Sequence, residues 1–65
     1  MTYEREIQLD KAYRMMTVEA DKLEKKFGER TNTETVKEGR TNFTYKCWFC
    51  DDNDKIRTRL ITVKL

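Results

Sequence analysis

The sequence predicts an α+β domain: one long N-terminal helix packed on a small two- to three-stranded antiparallel sheet that ends in a C-terminal hairpin. Three observations predict it. Leu9, Tyr13, Met16, Ala20, Leu23 and Phe27 recur at alternating spacings of four and three, which keeps them on one helix face. Two segments, NFTYKCWFC and KIRTRLITVKL, are rich in aromatic and β-branched residues and read as strands. The residues between them, DDND, are turn formers, because Asp and Asn bond back to their own backbone.

The helix is placed at residues 3–27. Lys25 and Lys26 suit the negative end of its dipole, and Gly28 suits the left-handed position that closes a helix. Thr2 would cap its start. A competing reading uses the alternation of Tyr3, Arg5, Ile7 and Leu9. It makes residues 2–9 a short strand, with Asp10 capping a shorter helix.

Residues 29–41, ERTNTETVKEGRT, contain one aliphatic residue, Val36. They read as a loop, a weak edge strand near 33–38 and a turn around Gly39. The hairpin strands fall at about 42–50 and 55–65. Closing the hairpin over a four-residue loop sets Cys50 opposite Lys55. Phe49, Cys47, Tyr45 and Phe43 then face Ile56, Thr58, Leu60 and Thr62 on an apolar side. Trp48, Lys46 and Thr44 share the other side with Arg57, Arg59 and Ile61. A slip of one residue would set the arginines against the aromatics.

The chain has 65 residues, enough for a single domain over 1–65. A domain this small buries only about 60% of its unfolded surface. Its 37% hydrophobic and 40% charged content leaves a lean core, which favours docking on a partner or a homodimer. Fourteen basic and twelve acidic residues give a net charge of +2. Residues 1–28 carry six of each sign, whereas 55–65 carry Lys55, Arg57, Arg59 and Lys64 and no acid. An acidic or nucleic-acid contact is expected there. No apolar run approaches the roughly 20 residues of a membrane span. No signal peptide is read at MTYEREIQLD, so the expectation is a cytoplasmic protein with reduced cysteines and no membrane contact.

The pattern KCWFCDD, residues 46–52, raises the question of metal or redox chemistry. Structural zinc needs four ligands, and the chain has two cysteines and no histidine. Only two chains pooling Cys47 and Cys50 would complete a Cys site, as a zinc-linked homodimer. In a strand, residues three apart point to opposite faces, which opposes it. Redox chemistry needs a lowered thiol pKa, and Asp51 and Asp52 beside Cys50 disfavour a thiolate. The expectation is that Cys47 is a small buried residue, Cys50 ends a strand, and neither binds metal.

The absence of histidine removes the imidazole base and the Ser–His and Cys–His arrangements. The carboxylates alternate with cations as on a solvated helix face. DDND lacks the spaced ligands of a calcium loop, and no phosphate-binding glycine loop is present. The chain is therefore read as no enzyme, without a cofactor. Trp48, Lys46, Arg57 and Arg59 form the candidate partner-binding face, since Trp and Arg are enriched where proteins meet. The expected function is a non-catalytic protein-binding regulator, adaptor or inhibitor, acting through this face or the helix. Small phage-encoded inhibitors of host proteins are the analogy, from size and composition alone. The alternative is a nucleic-acid-binding mini-domain that stacks a base on Trp48 and holds phosphates with the hairpin cations. The second alternative is the zinc-linked homodimer.

Overall fold

A computed structural model of the chain describes residues 3–65. The elements in order are α1 (Tyr3–Phe27), β1 (Glu29–Glu38), β2 (Asn42–Cys50) and β3 (Ile56–Lys64). The strands form one antiparallel sheet in the order β1-β2-β3, with β2 central, and α1 lies across one face. This is the α+β class that the sequence predicts, with three strands. At 1.5 Å per residue, the 25-residue helix is about 37 Å long and sets the long axis of a 45 × 17 × 15 Å molecule.

The core lies between α1 and the sheet. Ala12, Met16 and Ala20 of the helix are fully buried against Phe43, Tyr45, Cys47 and Phe49 of β2 and Ile61 and Val63 of β3. Leu9, Leu23 and Phe27 pack at its margin. Two of the three buried helix residues are alanines, which let the helix axis come close to the sheet. Tyr13, expected on the buried stripe, is 47% exposed and meets the Tyr45 ring edge-on at 6.1 Å.

The start of α1 overturns the short-strand reading of residues 2–9, since Tyr3 to Leu9 are helical. Arg5 supplies a reason. In the helix its guanidinium sits 5.2 Å from the Phe43 ring centre and donates to the carbonyls of Gly39 (2.9 Å) and Arg40 (3.3 Å). It also pairs with Glu38 at 3.2 Å, so the first turns of α1 are tied to the β1–β2 turn. Thr2, the expected cap, lies outside the described residues.

Gly28 is the whole connection from α1 to β1. Its N–H donates to the Glu24 carbonyl at 2.9 Å and its φ is +113°, the left-handed closure expected of it. The segment read as a loop before residue 33 is strand from Glu29 onward. It escaped the sequence pattern because an edge strand with an exposed side buries almost nothing. Register shifts at Thr31 and Val36 keep Arg30, Thr33, Thr35 and Glu38 opposite the core-facing residues of β2.

The hairpin register differs from the expected one by a single residue. Cys50 faces Ile56, Phe49 faces Arg57, Cys47 faces Arg59, Tyr45 faces Ile61 and Phe43 faces Val63. The loop decides this. The Asp51 N–H donates to the Lys55 carbonyl (3.1 Å) and the Asp54 N–H to the Asp51 carbonyl (3.0 Å). Asp51 and Lys55 thus close a three-residue connection, with Asp54 at φ 61° in the left-handed position such loops use. The core gains from the shift. It pairs Tyr45 and Phe43 with the β-branched Ile61 and Val63, where the expected register would have buried the Thr62 hydroxyl.

Candidate functional site

The one-residue shift divides the residues that the sequence grouped together. Trp48 and Lys46 lie on the sheet face away from the helix. Arg57 and Arg59 lie on the helix side, opposite Phe49 and Cys47. The expected face with one aromatic and three cations therefore does not form. Both arginines are exposed where α1 ends. Their guanidinium carbons stand 5.9 Å (Arg57) and 4.3 Å (Arg59) from the Phe27 ring centre, and the Lys26 ammonium stands at 5.7 Å. The cationic heads sit over an aromatic face while reaching water, which makes a basic side chain tolerable beside a core.

The uncovered face is built on β2. Cys50, Trp48, Lys46 and Thr44 run down its centre. Ile56, Thr58, Leu60 and Thr62 of β3 flank them on one side, and Glu29, Asn32, Glu34 and Lys37 of β1 on the other. Trp48 sits between Asn32 and Thr58, so Ile56 and Leu60 are its diagonal neighbours, within reach of an indole. Ile56 is 66% and Leu60 64% exposed, and Trp48 is half-buried. The Lys46 ammonium lies 5.1 Å from the indole centre, and Lys46 faces Glu34 across the strands. Thr44 and Thr62 hydroxyls meet at 3.2 Å. The result is an apolar triangle of Trp48, Ile56 and Leu60 with a polar rim. Sequence reasoning missed Ile56 and Leu60 because its register sent them to the core. The signal that would have found them is the Asp51–Lys55 closing pair.

The two cysteines lie on opposite faces of β2. Cys47 is fully buried, with its sulfur 3.8 Å from that of Met16, and Cys50 is half-buried on the outer face. One ion cannot take both thiols of a chain. Among the described residues, no three or more His, Cys, Asp or Glu side chains are gathered as a metal would need. A shallow cleft between the end of α1 and the hairpin loop mixes Lys25, Lys26 and Arg57 with Glu24, Asp51 and Asp52.

Among the described residues, two titratable groups are shifted. The Asp51 carboxylate accepts the backbone N–H groups of Lys55 (3.0 Å) and Asn53 (2.9 Å). These bonds, that of Lys55 foremost, and the charges of Arg57 and Lys55 hold it below the usual carboxylate range. Burial, then the nearby Glu38 charge and Tyr13, pushes the Tyr45 phenol up. Both serve the fold: Asp51 organises the loop and Tyr45 fills the core. Among the described residues, no helix is long and apolar enough to cross a membrane. Compared with protein-family models, curated proteins and solved structures, the chain matches none.

Proposed function

We propose that this chain is a non-catalytic binding domain that docks on another protein through the uncovered sheet face, as a small regulator, adaptor or inhibitor. One observation carries the reading: Trp48, Ile56 and Leu60 form an apolar cluster on a sheet that the helix covers on one side only. A tryptophan centred among aliphatic side chains and rimmed by threonines and single charges has the composition of a binding hot spot. Such a face gives a use to Ile56 and Leu60, the two most exposed aliphatic side chains among the described residues.

The nucleic-acid reading is weaker on this geometry. A stacking platform needs cations around the exposed ring. Lys46 stands at the indole, whereas Lys37 and Lys64 lie further down the face opposite Thr44 and Asn42, and Glu29 and Glu34 share that face, where they would repel phosphate. Arg57 and Arg59 are on the other side of the sheet.

Trp48 is the only tryptophan, so its emission reports this face without a label. A single-stranded oligonucleotide at low salt is expected to leave it unchanged. Saturable quenching that salt reverses would assign the face to nucleic acid instead. For the protein reading, Trp48→Ala with Leu60→Ala is expected to abolish retention of a captured partner, while Arg57→Ala with Arg59→Ala retains it. The opposite pattern would move the site to the helix side.

A further inference from the structure

The two edges of the sheet are not alike. β1 is interrupted by register shifts at Thr31 and Val36, which blunt an edge. β3 runs from Ile56 to Lys64 without a shift or a proline. The direction of its backbone groups follows from the bonds at its two ends. Asp51 N–H donates to the Lys55 carbonyl, and Leu65 N–H donates to the Thr41 carbonyl at 2.8 Å. Both pairs continue the β2–β3 register, and hydrogen-bonded pairs alternate with non-bonded ones in an antiparallel ladder. Arg57, Arg59, Ile61 and Val63 are therefore the residues bonded to β2. The N–H and C=O groups of Ile56, Thr58, Leu60, Thr62 and Lys64 point away from the sheet, along an edge that carries no strand partner; the Thr58 carbonyl accepts from the Arg59 guanidinium at 2.7 Å.

We infer that this edge pairs with the β3 edge of a second copy of the chain, antiparallel about a two-fold axis at Leu60, giving a closed dimer with one continuous six-stranded sheet. Leu60 is the midpoint of Ile56–Lys64, so the strands overlap over their whole length. In that register Leu60 faces the partner's Leu60, Thr58 faces the partner's Thr62 and Ile56 faces the partner's Lys64. On the helix side Arg59 faces the partner's Ile61 and Arg57 faces the partner's Val63. No cation lies directly opposite a cation, the arrangement that would oppose pairing most. The outward N–H and C=O groups find mates, about ten bonds across the seam, with the Thr58 carbonyl exchanging its bond from the Arg59 guanidinium for one from the partner strand. The exposed Leu60 packs side by side with its own copy along the seam. The interface is isologous, so it closes at two chains and leaves the blunted β1 edges outermost.

The inference uses the strand edge and shares Leu60 and Ile56 with the outer-face reading, so Trp48 is the residue that separates the two. Trp48→Ala should leave the dimer intact. Charge separates a second copy from a different occupant. Residues 55–65 carry four cations and no acid, so two copies repel across the seam and salt relieves that repulsion. Self-association should strengthen as ionic strength rises, whereas an acidic strand from another protein would bind more weakly.

Sedimentation equilibrium up to millimolar protein, with amide hydrogen exchange on the same samples, tests it. The expected result is a mass rising to twice the 7.9 kDa chain. The amides of Thr58, Leu60 and Thr62 should become protected only as the mass rises, while those of Arg59 and Ile61 are protected throughout. Thr58→Pro removes an outward N–H and leaves the β2–β3 ladder intact, so it should give a folded monomer by circular dichroism. Leu60→Lys sets two ammonium groups face to face and should do the same, which guards against Thr58→Pro failing to fold. A chain that stays at 7.9 kDa at high salt with freely exchanging outward amides overturns the inference. So does a dimer that survives both substitutions.

Discussion

The Arg59 guanidinium stands 4.3 Å from the centre of the Phe27 ring, joining the middle of β3 to the last residue of α1. The contact exists because the hairpin register puts Arg59 on the helix side, opposite Cys47. Phe27 itself leans on Phe49, with ring centres 6.3 Å apart, so the arginine closes a stack that begins in the core. A partly exposed cation–π pair is worth about 0.5–1 kcal/mol. A double-mutant cycle with Phe27→Leu and Arg59→Ala should return a coupling of about that size in urea unfolding. Additive losses would mean the arginine is merely near the ring. An Arg57→Ala cycle should couple less, at 5.9 Å.

That contact also marks where sequence reasoning ended. The helix was legible because Leu9, Met16, Ala20, Leu23 and Phe27 repeat with the helical period and Gly28 closes it. The strands β2 and β3 were legible from their aromatic and β-branched content. Their register was not, because β3 alternates in two ways. Ile56 and Leu60 lie on one side, Ile61 and Val63 on the other, and each set looks like a core face. The loop decides between them, through backbone bonds at Asp51 that composition does not display. β1 was only partly legible because ERTNTETVKE buries so little that no apolar period is required of it. The candidate face inherited the register error: Trp48 and Lys46 stayed on it, the arginines left it, and Ile56 and Leu60 took their place.

Gly28 is the position least able to accept a side chain. A Cβ there would come within 2.2 Å of the Cys50 carbonyl oxygen and 2.7 Å of the Asp51 Cα, and the φ of +113° is strained for any L residue. Neither neighbour is a flexible side chain, since both belong to the end of the hairpin. Gly28→Ala should cost more than about 2 kcal/mol, a large part of the stability of so small a domain. Gly39→Ala is the control. The one tight contact of its Cβ would be the Asn42 carbonyl oxygen, at 3.1 Å, with no positive φ, and its loss should be clearly smaller. Equal thermal shifts for the two variants would contradict this account of the helix end.

The hairpin loop makes stability depend on acid. Asp51 is held below the usual carboxylate range in the folded chain, first by the Lys55 N–H bond. The sign follows from which state binds the proton more tightly, here the unfolded one. The stabilisation is complete above the ordinary carboxylate pKa and is lost as pH falls through the lower folded value. Asp51→Asn keeps an oxygen that accepts both N–H groups but cannot titrate. Its melting temperature should therefore fall less steeply than the wild type's over that acid window. Parallel acid profiles would show that other carboxylates carry the dependence.

Tyr45 works at the opposite end of the pH scale. Its side chain is almost wholly buried between the helix and the sheet, and burial, with Glu38 and Tyr13 nearby, raises its phenol pKa. The neutral phenol is the form the fold favours. The unfolded chain ionises first, so the stabilisation is complete below the ordinary tyrosine pKa and is lost as pH climbs through the raised folded value. Following phenolate absorbance in the native protein, which has three tyrosines, should reveal one group ionising late, close to alkaline unfolding. Tyr45→Phe should abolish that late step and soften the alkaline fall in melting temperature. The substitution keeps the ring and its edge-on contact with Tyr13, so the core packing stays in place. A late step that persists in Tyr45→Phe would mean that another tyrosine is the one the fold keeps neutral.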